Sequence, residues 1–574
     1  MNYSSLLIYI PRFAIHFSLI LLLVLISHYN SFGTHIRGGY LRVHTVSNSN
    51  TLYQIHLILF TDTGSTVKFG GGEVNYGDGS PLTNFHTQDV SESKVIGHGI
   101  AMDIYKIEHN YPGPGIYTIS FREFNRNANI VNMTNSVNTP FYVETRIVID
   151  PYFGLNQSPE IMSNIFNYGK IKEEFEFNLG AYDPDGDSLS FELVKCLQDR
   201  NVPATNYYVP STWVEDSTHL KSRLSVEHIT GQVFWEFPDF QGEYNAAINI
   251  HEWRFIKDLN DWVEMGSMRF DFQIIIWETD NTPPKIKITE DTAVLINQVL
   301  NLEYLVEDMD EDSLSIKYYG SVYKSPFSHP SYTLSDTILF QEPVSGIFSW
   351  EPALSDVTNR PYSLFIDVTD NEFYSLRDQQ MTNIWVVDEE SNPDPPSSLL
   401  AVSESYNTVK LSWTDNSVNE AGFIVERADD YFPEFRRLVA LPVNSSAYTD
   451  KNILPNRDYQ YKVKVVGTKG SSYSEILLVS KDIILNTYFE LDDEYLALYP
   501  NPVKRCLFLD FKNKLIEESK IEIYNSSGIL QDALIIPPGF RTSFNLDVRS
   551  YPSGFYILKI QLNSDISIHK FIKE

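Results

Sequence analysis

Two stretches, Asp183-Pro-Asp-Gly-Asp-Ser-Leu189 and Thr230-Gly-Gln-Val-Phe-Trp235-Glu-Phe-Pro238, return in the same order as Asp308-Met-Asp-Glu-Asp-Ser-Leu314 and Ser345-Gly-Ile-Phe-Ser-Trp350-Glu-Pro352. In each copy an acidic turn precedes a short, largely apolar segment that contains a tryptophan. Elsewhere between the joints apolar and polar residues alternate, as in Tyr53-Gln-Ile-His-Leu-Ile-Leu-Phe60, and a period of two residues is typical of a half-buried strand. The recurrence predicts two successive copies of one β-rich unit.

The two copies also end alike. Gly242-Glu-Tyr244 corresponds to Pro361-Tyr362, and an apolar strand closes each copy before a proline-containing joint. We therefore place the repeats at residues 155–282 and 283–392. This order of motifs resembles bacterial cadherin-like and immunoglobulin-like repeats, and the resemblance implies antiparallel β-sandwiches.

Proline-rich joints divide the rest of the chain in the same way. They lie at Asn156-Gln-Ser-Pro159, Asn281-Thr-Pro-Pro284 and Asn392-Pro-Asp-Pro-Pro396. Proline lacks a backbone donor for a strand ladder, so it suits strand entries and linkers. Aromatic residues make up 14% of the sequence and favour pleated surfaces. The predicted fold class is all-β, with tandem antiparallel immunoglobulin-like β-sandwiches forming a rod behind a cleaved signal peptide.

Residues 34–150 form the first predicted sandwich. Val74-Asn-Tyr-Gly-Asp-Gly79 is a tight-turn cluster, and His109-Asn-Tyr-Pro-Gly-Pro-Gly-Ile-Tyr117 follows about 30 residues later. The pair resembles the polycystic-kidney-disease (PKD) domain, although Asn75 stands where that family usually has aspartate. We expect the histidine and the aromatic residues of these motifs to pack rather than to react.

Residues 393–483 resemble a fibronectin type III domain. Val409-Lys-Leu-Ser-Trp413 carries the expected core tryptophan, and Leu454 with Tyr459 fits the family's tyrosine corner. The resemblance implies a further sandwich, which a linker at residues 484–494 joins to the tail.

Residues 495–574 form a compositionally distinct tail. It contains Leu498-Tyr-Pro-Asn-Pro-Val503, Ile521-Glu-Ile-Tyr-Asn-Ser-Ser-Gly528, Tyr551-Pro-Ser-Gly-Phe-Tyr-Ile-Leu-Lys-Ile560 and a final lysine strand. These motifs resemble the type A C-terminal sorting domain of type IX secretion in Bacteroidota. The resemblance implies that the secretion machinery is a partner of the tail. The alternative is one more sandwich without an address function.

The N-terminus predicts export. Arg12 precedes the apolar run Phe17–Ile26, which is too short to span a membrane comfortably, and small residues follow at Ser31 and Gly33. We interpret residues 1–33 as a signal peptide, with an uncleaved membrane anchor as the alternative. The mature chain is expected to have no transmembrane segment and to be extracellular or on the outer cell surface.

Charge and cysteine content exclude several classes of protein. The formal net charge is −31, although the tail carries 10 Lys and Arg against 8 Asp and Glu. Nucleic acid is therefore not expected as a partner, because phosphate binding needs a basic surface. Two distant cysteines, Cys196 and Cys506, exclude a disulfide framework.

The alternating aspartates are candidate ligands for calcium. Carboxylates at every second position of a loop can converge on a hard cation that takes six to eight oxygens. Acidic residues at the joint between the repeats could add ligands. The candidate residues are Asp183, Asp185, Asp187, Glu278, Asp280, Asp308, Asp310 and Asp312. The alternative is a solvated acidic turn in each unit.

No catalytic residues are predicted, and we interpret the protein as non-enzymatic. The sequence lacks a His-Glu-x-x-His zinc motif, a Gly-x-Ser-x-Gly elbow and a Walker A loop. The main functional hypothesis is a secreted or surface adhesion or interaction protein with an unknown glycan or protein ligand. A second hypothesis is a polysaccharide-binding accessory protein, for which Trp253, Trp262 and Trp277 would form a stacking platform if they do not simply pack. An unrecognised hydrolase in residues 34–150 is the third.

Overall fold

The regular structure of the described residues is almost entirely β-strand in antiparallel sheets, which confirms the predicted all-β class. The computed structural model describes residues 36–46, 49–64, 71–97, 99–163, 167–210, 222–324, 330–332, 338–339, 343–371, 373–405, 408–454, 457–480, 496–499, 503–511, 519–525, 530–536, 544–562 and 565–573. The predicted signal peptide (1–33) and linker (484–494) lie outside these residues. Within them, no helix has the length and apolar character needed to cross a membrane.

The chain divides into two compact units, Met1–Asp388 and Glu389–Glu574. Short 3-10 helices interrupt the strands of the first unit at Thr87–Asp89, Ser136–Asn138, Ser321–Lys324 and Leu354–Asp356.

The first predicted sandwich supplies eight strands. They are β1 (Ile36–Thr45), β2 (Leu52–Asp62), β3 (Gly72–Asn75), β4 (Thr83–Phe85), β5 (Glu92–Gly97), β6 (Ile100–Asn110), β7 (Gly115–Glu123) and β8 (Phe141–Ile149).

The first repeat supplies eleven further strands. They are β9 (Glu160–Ile161), β10 (Asn167–Lys170), β11 (Phe175–Asn178), β12 (Ala181–Tyr182), β13 (Ser188–Val194), β14 (Leu197–Asp199), β15 (Val202–Pro203), β16 (Arg223–Val226), β17 (Gln232–Glu236), β18 (Gly242–Ile256) and β19 (Asp261–Trp277).

The two predicted units at 34–150 and 155–282 share one sheet. Its central path runs β4-β3-β7-β8-β19-β1-β2-β6-β5, and β10, β13, β14, β15 and β18 join from the repeat. The long antiparallel hairpin β18–β19 is the connection, because β19 pairs with β8 around Ser267 and with β1 at Asp271. Strands β11, β17 and β16 form a separate sheet, and β9 pairs with β12.

Strand β2 shows why the sheet can be shared. Ile55, Leu57 and Leu59 enter the core of the first sandwich, whereas Ile58 and Phe60 on the opposite face enter the core of the first repeat. Successive side chains of a strand point to opposite faces. The apolar residues near the C-terminal end of β2 are therefore buried on both faces of the sheet.

The second repeat is a two-sheet sandwich. Its strands are β20 (Lys285–Ile288), β21 (Thr292–Leu295), β22 (Leu300–Glu307), β23 (Leu314–Tyr319), β24 (Ser331–Tyr332), β25 (Ile338–Leu339), β26 (Val344–Trp350), β27 (Tyr362–Asp370) and β28 (Arg377–Val387). The sheet orders are β20-β22-β26-β24 and β21-β28-β27-β23-β25.

The motif tryptophans occupy the same environment in the two repeats. Trp235 and Trp350 are each 2% exposed. The ring of Trp235 meets Tyr244 edge-on at 4.8 Å between centroids, and Trp350 meets Tyr362 edge-on at 5.0 Å. Edge-to-face contacts between aromatic rings stabilise a core in addition to the stabilisation that comes from burying their apolar surface.

The second unit begins with a sandwich over the predicted fibronectin type III region. Its strands are β29 (Ser397–Ser405), β30 (Thr408–Thr414), β31 (Gly422–Asp429), β32 (Arg436–Leu441), β33 (Ala447–Asp450), β34 (Tyr459–Gly467), β35 (Gly470–Tyr473) and β36 (Leu477–Val479). Trp413 lies in its core, and the Tyr459 hydroxyl accepts the backbone N–H of Leu454 at 2.6 Å. This contact is the predicted tyrosine corner.

The tail forms two further sheets, β37-β38-β41 and β40-β39-β42-β43. Its strands are β37 (Leu496–Tyr499), β38 (Cys506–Phe511), β39 (Ser519–Asn525), β40 (Leu530–Ile536), β41 (Phe544–Asp547), β42 (Gly554–Leu562) and β43 (Asp565–Lys573). Residues 500–502 and 526–528 of the quoted motifs lie outside the described residues. Tyr556 and Phe571 stack at 5.3 Å in the core of the tail.

Candidate metal sites

The first Asp loop, residues 183–187, is organised by its first aspartate. The Oδ1 atom of Asp183 accepts the backbone N–H of Asp185 at 2.9 Å and that of Asp187 at 3.0 Å. Gly186 has a φ of +80°, a conformation that costs glycine little. Aspartate followed by glycine thus closes the turn through local hydrogen bonds.

The second Asp loop, residues 308–312, repeats this arrangement. The Oδ1 atom of Asp308 accepts the N–H of Asp310 at 2.8 Å. Glu311 occupies the position of Gly186 with a φ of +60°, which is uncommon for a residue with a Cβ atom. The second loop therefore keeps the same turn at a higher conformational cost.

The central aspartate of each loop holds the preceding joint. Asp185 Oδ2 accepts the N–H of Gln157 at 2.6 Å, and Asp310 Oδ2 accepts the N–H of Thr282 at 2.7 Å. Hydrogen bonds from the side chain and backbone of Thr282 lower the pKa of Asp310. Both central carboxylates are thus committed to fixing the start of their own unit.

The third aspartate of the first loop pairs with a cation. Arg254 binds Asp187 through two nitrogens, Nε to Oδ1 and Nη2 to Oδ2, each at 2.7 Å. The same guanidinium donates to the backbone oxygens of Phe153 at 2.9 Å and Leu155 at 3.0 Å. Arg254 therefore ties the loop to the joint and to the long hairpin.

A fourth carboxylate, Glu252 on β18, reaches the first loop. Its Cα is paired with that of Leu189, and its side chain is fully buried. One oxygen, Oε2, accepts the Nδ2–H of Asn156 at 2.5 Å. The other oxygen, Oε1, has no hydrogen-bond partner among the described residues, and neither has Oδ2 of Asp183.

These side chains form a compact acidic group. One oxygen from each of Asp183, Asp187 and Glu252 can be chosen so that all three lie within 4.8 Å of one another. Burial raises the pKa of Asp183 to about 7, and neighbouring carboxylates add to that effect. Burial and the charge of Asp183 also raise the pKa of Glu252 well above its ordinary value. Each carboxylate is costly to keep ionised here without a compensating positive charge.

The second loop brings together its own three aspartates. Oxygens of Asp308, Asp310 and Asp312 lie within 4.8 Å of one another, with Asp310 exposed. The position equivalent to Glu252 is Asp370, whose Cα is paired with that of Leu314. Asp370 accepts the N–H of Leu376 at 3.0 Å and the Nδ2–H of Asn281 at 3.0 Å. Its shorter side chain is thus held by hydrogen bonds.

The structure does not bring every predicted ligand into these groups. Glu278 and Asp280 are exposed, and neither belongs to an acidic group found among the described residues. Sequence reasoning also missed Glu252. A signal was available, because Glu252 follows Tyr244 by eight residues just as Asp370 follows Tyr362.

The three tryptophans considered for a sugar-stacking platform do not form one. Trp262, near the tip of the hairpin, is 48% exposed and meets Phe255 at 5.4 Å between ring centroids. Trp253 lies on the same strand face as Phe255 and donates from Nε1 to Ser190 at 2.9 Å. Trp277 ends β19 fifteen residues beyond Trp262 and packs on Tyr374.

The histidine of the first sandwich packs, as expected. The rings of His109 and Tyr76 stack at 3.8 Å, and His109 Nε2 lies 2.7 Å from Asp78 Oδ2. Tyr111 is buried against His109 and donates to the backbone oxygen of Tyr76 at 3.4 Å. The motif therefore closes the turn at residues 76–79 onto β6.

Comparison with known proteins identifies the tail. Residues 497–574 match the secretion system C-terminal sorting domain family. No curated protein matches the chain. The protein is therefore exported by type IX secretion, and it resides outside the cell or on its surface.

Solved structures with some similarity are chains of immunoglobulin-like or fibronectin type III domains. Titin domains A168–A170 are 14% identical, with 56% of this chain and 98% of that chain covered and a TM-score of 0.15. A two-domain fibronectin type III segment of chicken tenascin is 12% identical, covering 31% and 98%, with a TM-score of 0.17. Similarity at this level assigns neither a ligand nor an activity.

Proposed function

We propose that this protein is a non-catalytic adhesion or interaction protein that type IX secretion delivers to the cell surface or the medium. The observation that carries the proposal is the sorting-domain match at residues 497–574, behind tandem β-sandwiches. Such sandwiches are scaffolds, and their specificity resides in loops and exposed faces. The type IX secretion machinery is the partner of the tail. The ligand of the β-sandwich domains that precede the tail is a surface glycan or protein.

The finer domain assignments belong to this proposal. We assign residues 34–150 to a PKD-like sandwich and residues 155–282 and 283–392 to cadherin-like or immunoglobulin-like repeats. The stack of Tyr76 on His109 supports the first assignment. The matching bonds of Asp185 and Asp310 to their joints support the second.

Calcium is the proposed cofactor of the Asp loops. The supporting observation is that each loop belongs to a group of three acidic residues with oxygens within 4.8 Å of one another, and that Glu252 of β18 completes the first group. Calcium prefers oxygen ligands and tolerates irregular geometry. A bound cation would also relieve the repulsion between the carboxylates.

Deletion of the tail tests the export proposal. The full chain and a version ending at residue 494 are expressed in a type IX-competent bacterium, with a tag inserted before residue 484. We expect the intact protein at the surface or in the medium and the truncated protein in the periplasm. Similar locations for the two versions would contradict the proposal.

A second candidate function is polysaccharide binding on the long hairpin. The observation that favours it is the exposure of Phe255 and Trp262 beside Trp253 on one strand face. Exposed aromatic faces can stack on sugar rings. We expect Trp262→Ala to abolish binding on a glycan array, with Trp277→Phe as the control at the opposite end of β19. Absence of binding at millimolar glycan would refute this candidate.

A further inference from the structure

We infer that Asp183, Asp187 and Glu252 form a buried calcium site that joins the first Asp loop to the hairpin β18–β19. The inference rests on the proposed calcium function of the Asp loops and deepens it. The ion would lie between the loop and β18, inside the first unit, and not in a site formed by loop residues alone. Glu252 would be its ligand from a strand that is distant in sequence.

Unsatisfied buried oxygens are the first argument. Asp183 is 4% exposed and Glu252 is 0% exposed, and one carboxylate oxygen of each has no hydrogen-bond partner among the described residues. Leaving a buried acceptor unpaired costs free energy, and the cost is higher when the acceptor is charged. Native proteins seldom leave such atoms unpaired on two side chains of one acidic group unless something binds there.

Local charge is the second argument. The carboxylates of Asp183, Asp187 and Glu252 lie together, the carboxylate of the exposed residue Asp185 adds to their repulsion, and Arg254 and Arg360 are cations that interact with them. Arg254 binds Asp187 directly, and Arg360 donates to the Asp187 backbone oxygen at 3.2 Å. When all four carboxylates are ionised, the two guanidiniums leave two negative charges uncompensated. A divalent cation would neutralise them and so favour the ionised forms.

Geometry is the third argument. Calcium–oxygen bonds are about 2.3–2.6 Å long, so two ligand oxygens on the same ion are at most about 5 Å apart. The chosen oxygens of the three side chains lie within 4.8 Å of one another. Asp187 can serve although it bonds Arg254, because each carboxylate oxygen has two lone pairs. The donors are all oxygens, which favours calcium over zinc.

The second loop provides an internal contrast. There the equivalent fourth carboxylate, Asp370, accepts hydrogen bonds from Leu376 and Asn281. A glutamate at this position of the first repeat extends one carbon further, and the Oε1 atom of Glu252 has no hydrogen-bond partner among the described residues. The proposed ligand set therefore applies to the first loop alone.

A shared proton is the rival explanation. One of Asp183 and Glu252 could stay protonated and donate to the other, which would satisfy both without metal. The two explanations differ in what Glu252→Gln does. Glutamine keeps the volume and can donate a hydrogen bond, but it removes a charged ligand. Under the rival explanation, glutamine mimics the protonated acid and calcium has no effect on either protein.

The experiment uses residues 34–574, produced without export so that its outcome is independent of the secretion proposal. The protein is dialysed against EDTA and then titrated with CaCl₂, by calorimetry and by thermal unfolding. We compare Glu252→Gln and Asp183→Asn with Asp310→Asn in the second loop. Glu192→Gln is the matched control, because this glutamate lies on the neighbouring strand β13 with its side chain 64% exposed.

We expect calcium to raise the Tm of the unaltered protein and of Glu192→Gln. Glu252→Gln should weaken calcium binding at this site by roughly 100-fold and remove its contribution to the Tm rise. The metal-free Tm of Glu252→Gln should equal or exceed that of the unaltered protein, which a merely structural glutamate would not produce. Asp183→Asn should weaken binding similarly and provides the test if Glu252→Gln fails to fold. Asp310→Asn should leave the first site intact.

Two outcomes overturn the inference, and they are distinguishable. Full calcium binding by Glu252→Gln and Asp183→Asn, together with loss in Asp310→Asn, would overturn the ligand set but keep calcium in the second loop. An absence of calcium binding by the unaltered protein would overturn both the ligand set and the calcium proposal. Neither outcome affects the export proposal.

Discussion

The two Asp loops share their hydrogen bonds but differ in the environment of their fourth carboxylate. In both, the first aspartate closes the turn and the central one holds the joint. Glu252 is fully buried with one oxygen unpaired, whereas Asp370 accepts N–H donors from a neighbouring loop and from Asn281. The two repeats therefore share one loop structure, and they differ in the carboxylate that faces the loop from the paired strand.

The largest expected effects concern the scaffold itself. Trp235→Ala and Trp350→Ala should each lower the free energy of unfolding by about 3–5 kcal/mol, because both side chains are buried against a tyrosine. Equilibrium urea unfolding measures both. Trp262→Ala is the exposed control and should change stability by less than about 0.5 kcal/mol. A large loss for one core tryptophan alone would break the equivalence of the repeats.

The second effect, which is smaller, is a pH dependence of stability that differs between the two Asp loops. Burial raises the pKa of Asp183 from 3.8 to about 7. Between these two pH values the Asp183 carboxyl group is protonated in the folded protein and ionised in the unfolded chain. In EDTA, the contribution of Asp183 to stability should therefore fall as pH rises from about 4 to about 7, by about 2 kcal/mol between pH 5 and pH 7. Denaturant unfolding across this range measures it.

Matched variants identify the source of this pH dependence. Asp183→Asn should make the profile shallower, because the amide carries no titrating proton. Glu123 and Glu252, whose pKa values burial also raises, keep the rest of the slope. Asp310→Asn should leave the profile unchanged in this range. The pKa of Asp310 is lowered in the folded protein, so this residue's contribution to stability is complete above the ordinary pKa of aspartate and is lost only as pH falls below it. A profile that Asp183→Asn does not alter would contradict the assignment.

The smallest effect concerns the joints. Asp185→Ala and Asp310→Ala should each cost about 1 kcal/mol, because each removes hydrogen bonds to the backbone of the preceding joint. Urea unfolding measures the loss, and limited proteolysis should show faster cleavage near residues 156–159 or 281–284. Asp280→Ala, at an exposed position, is the control. Cleavage no faster than in that control would show that the central aspartates do not hold the joints.

Local patterns predicted most of the architecture. The tryptophan strands, the tyrosine corner of Tyr459 and the tail motifs depend on spacings of a few residues, and these spacings act within one hairpin or turn. The acidic loops were predicted for the same reason. The sharing of one sheet by residues 34–150 and 155–282 was not predicted, because the alternation in β2 does not reveal which core receives each face.

The residue pattern alone predicts an all-β chain with repeated sandwiches, acidic loops and a type IX sorting tail. Which carboxylates lie close to one another depends on the fold. Glu252 lies 69 residues after Asp183, and it reaches the loop because β18 pairs with β13 in the register that aligns it with Leu189. Glu278 and Asp280 are closer in sequence to the second loop but point to solvent. Strand register sets such long-range contacts, and the hydrophobic faces of the whole sheet decide it.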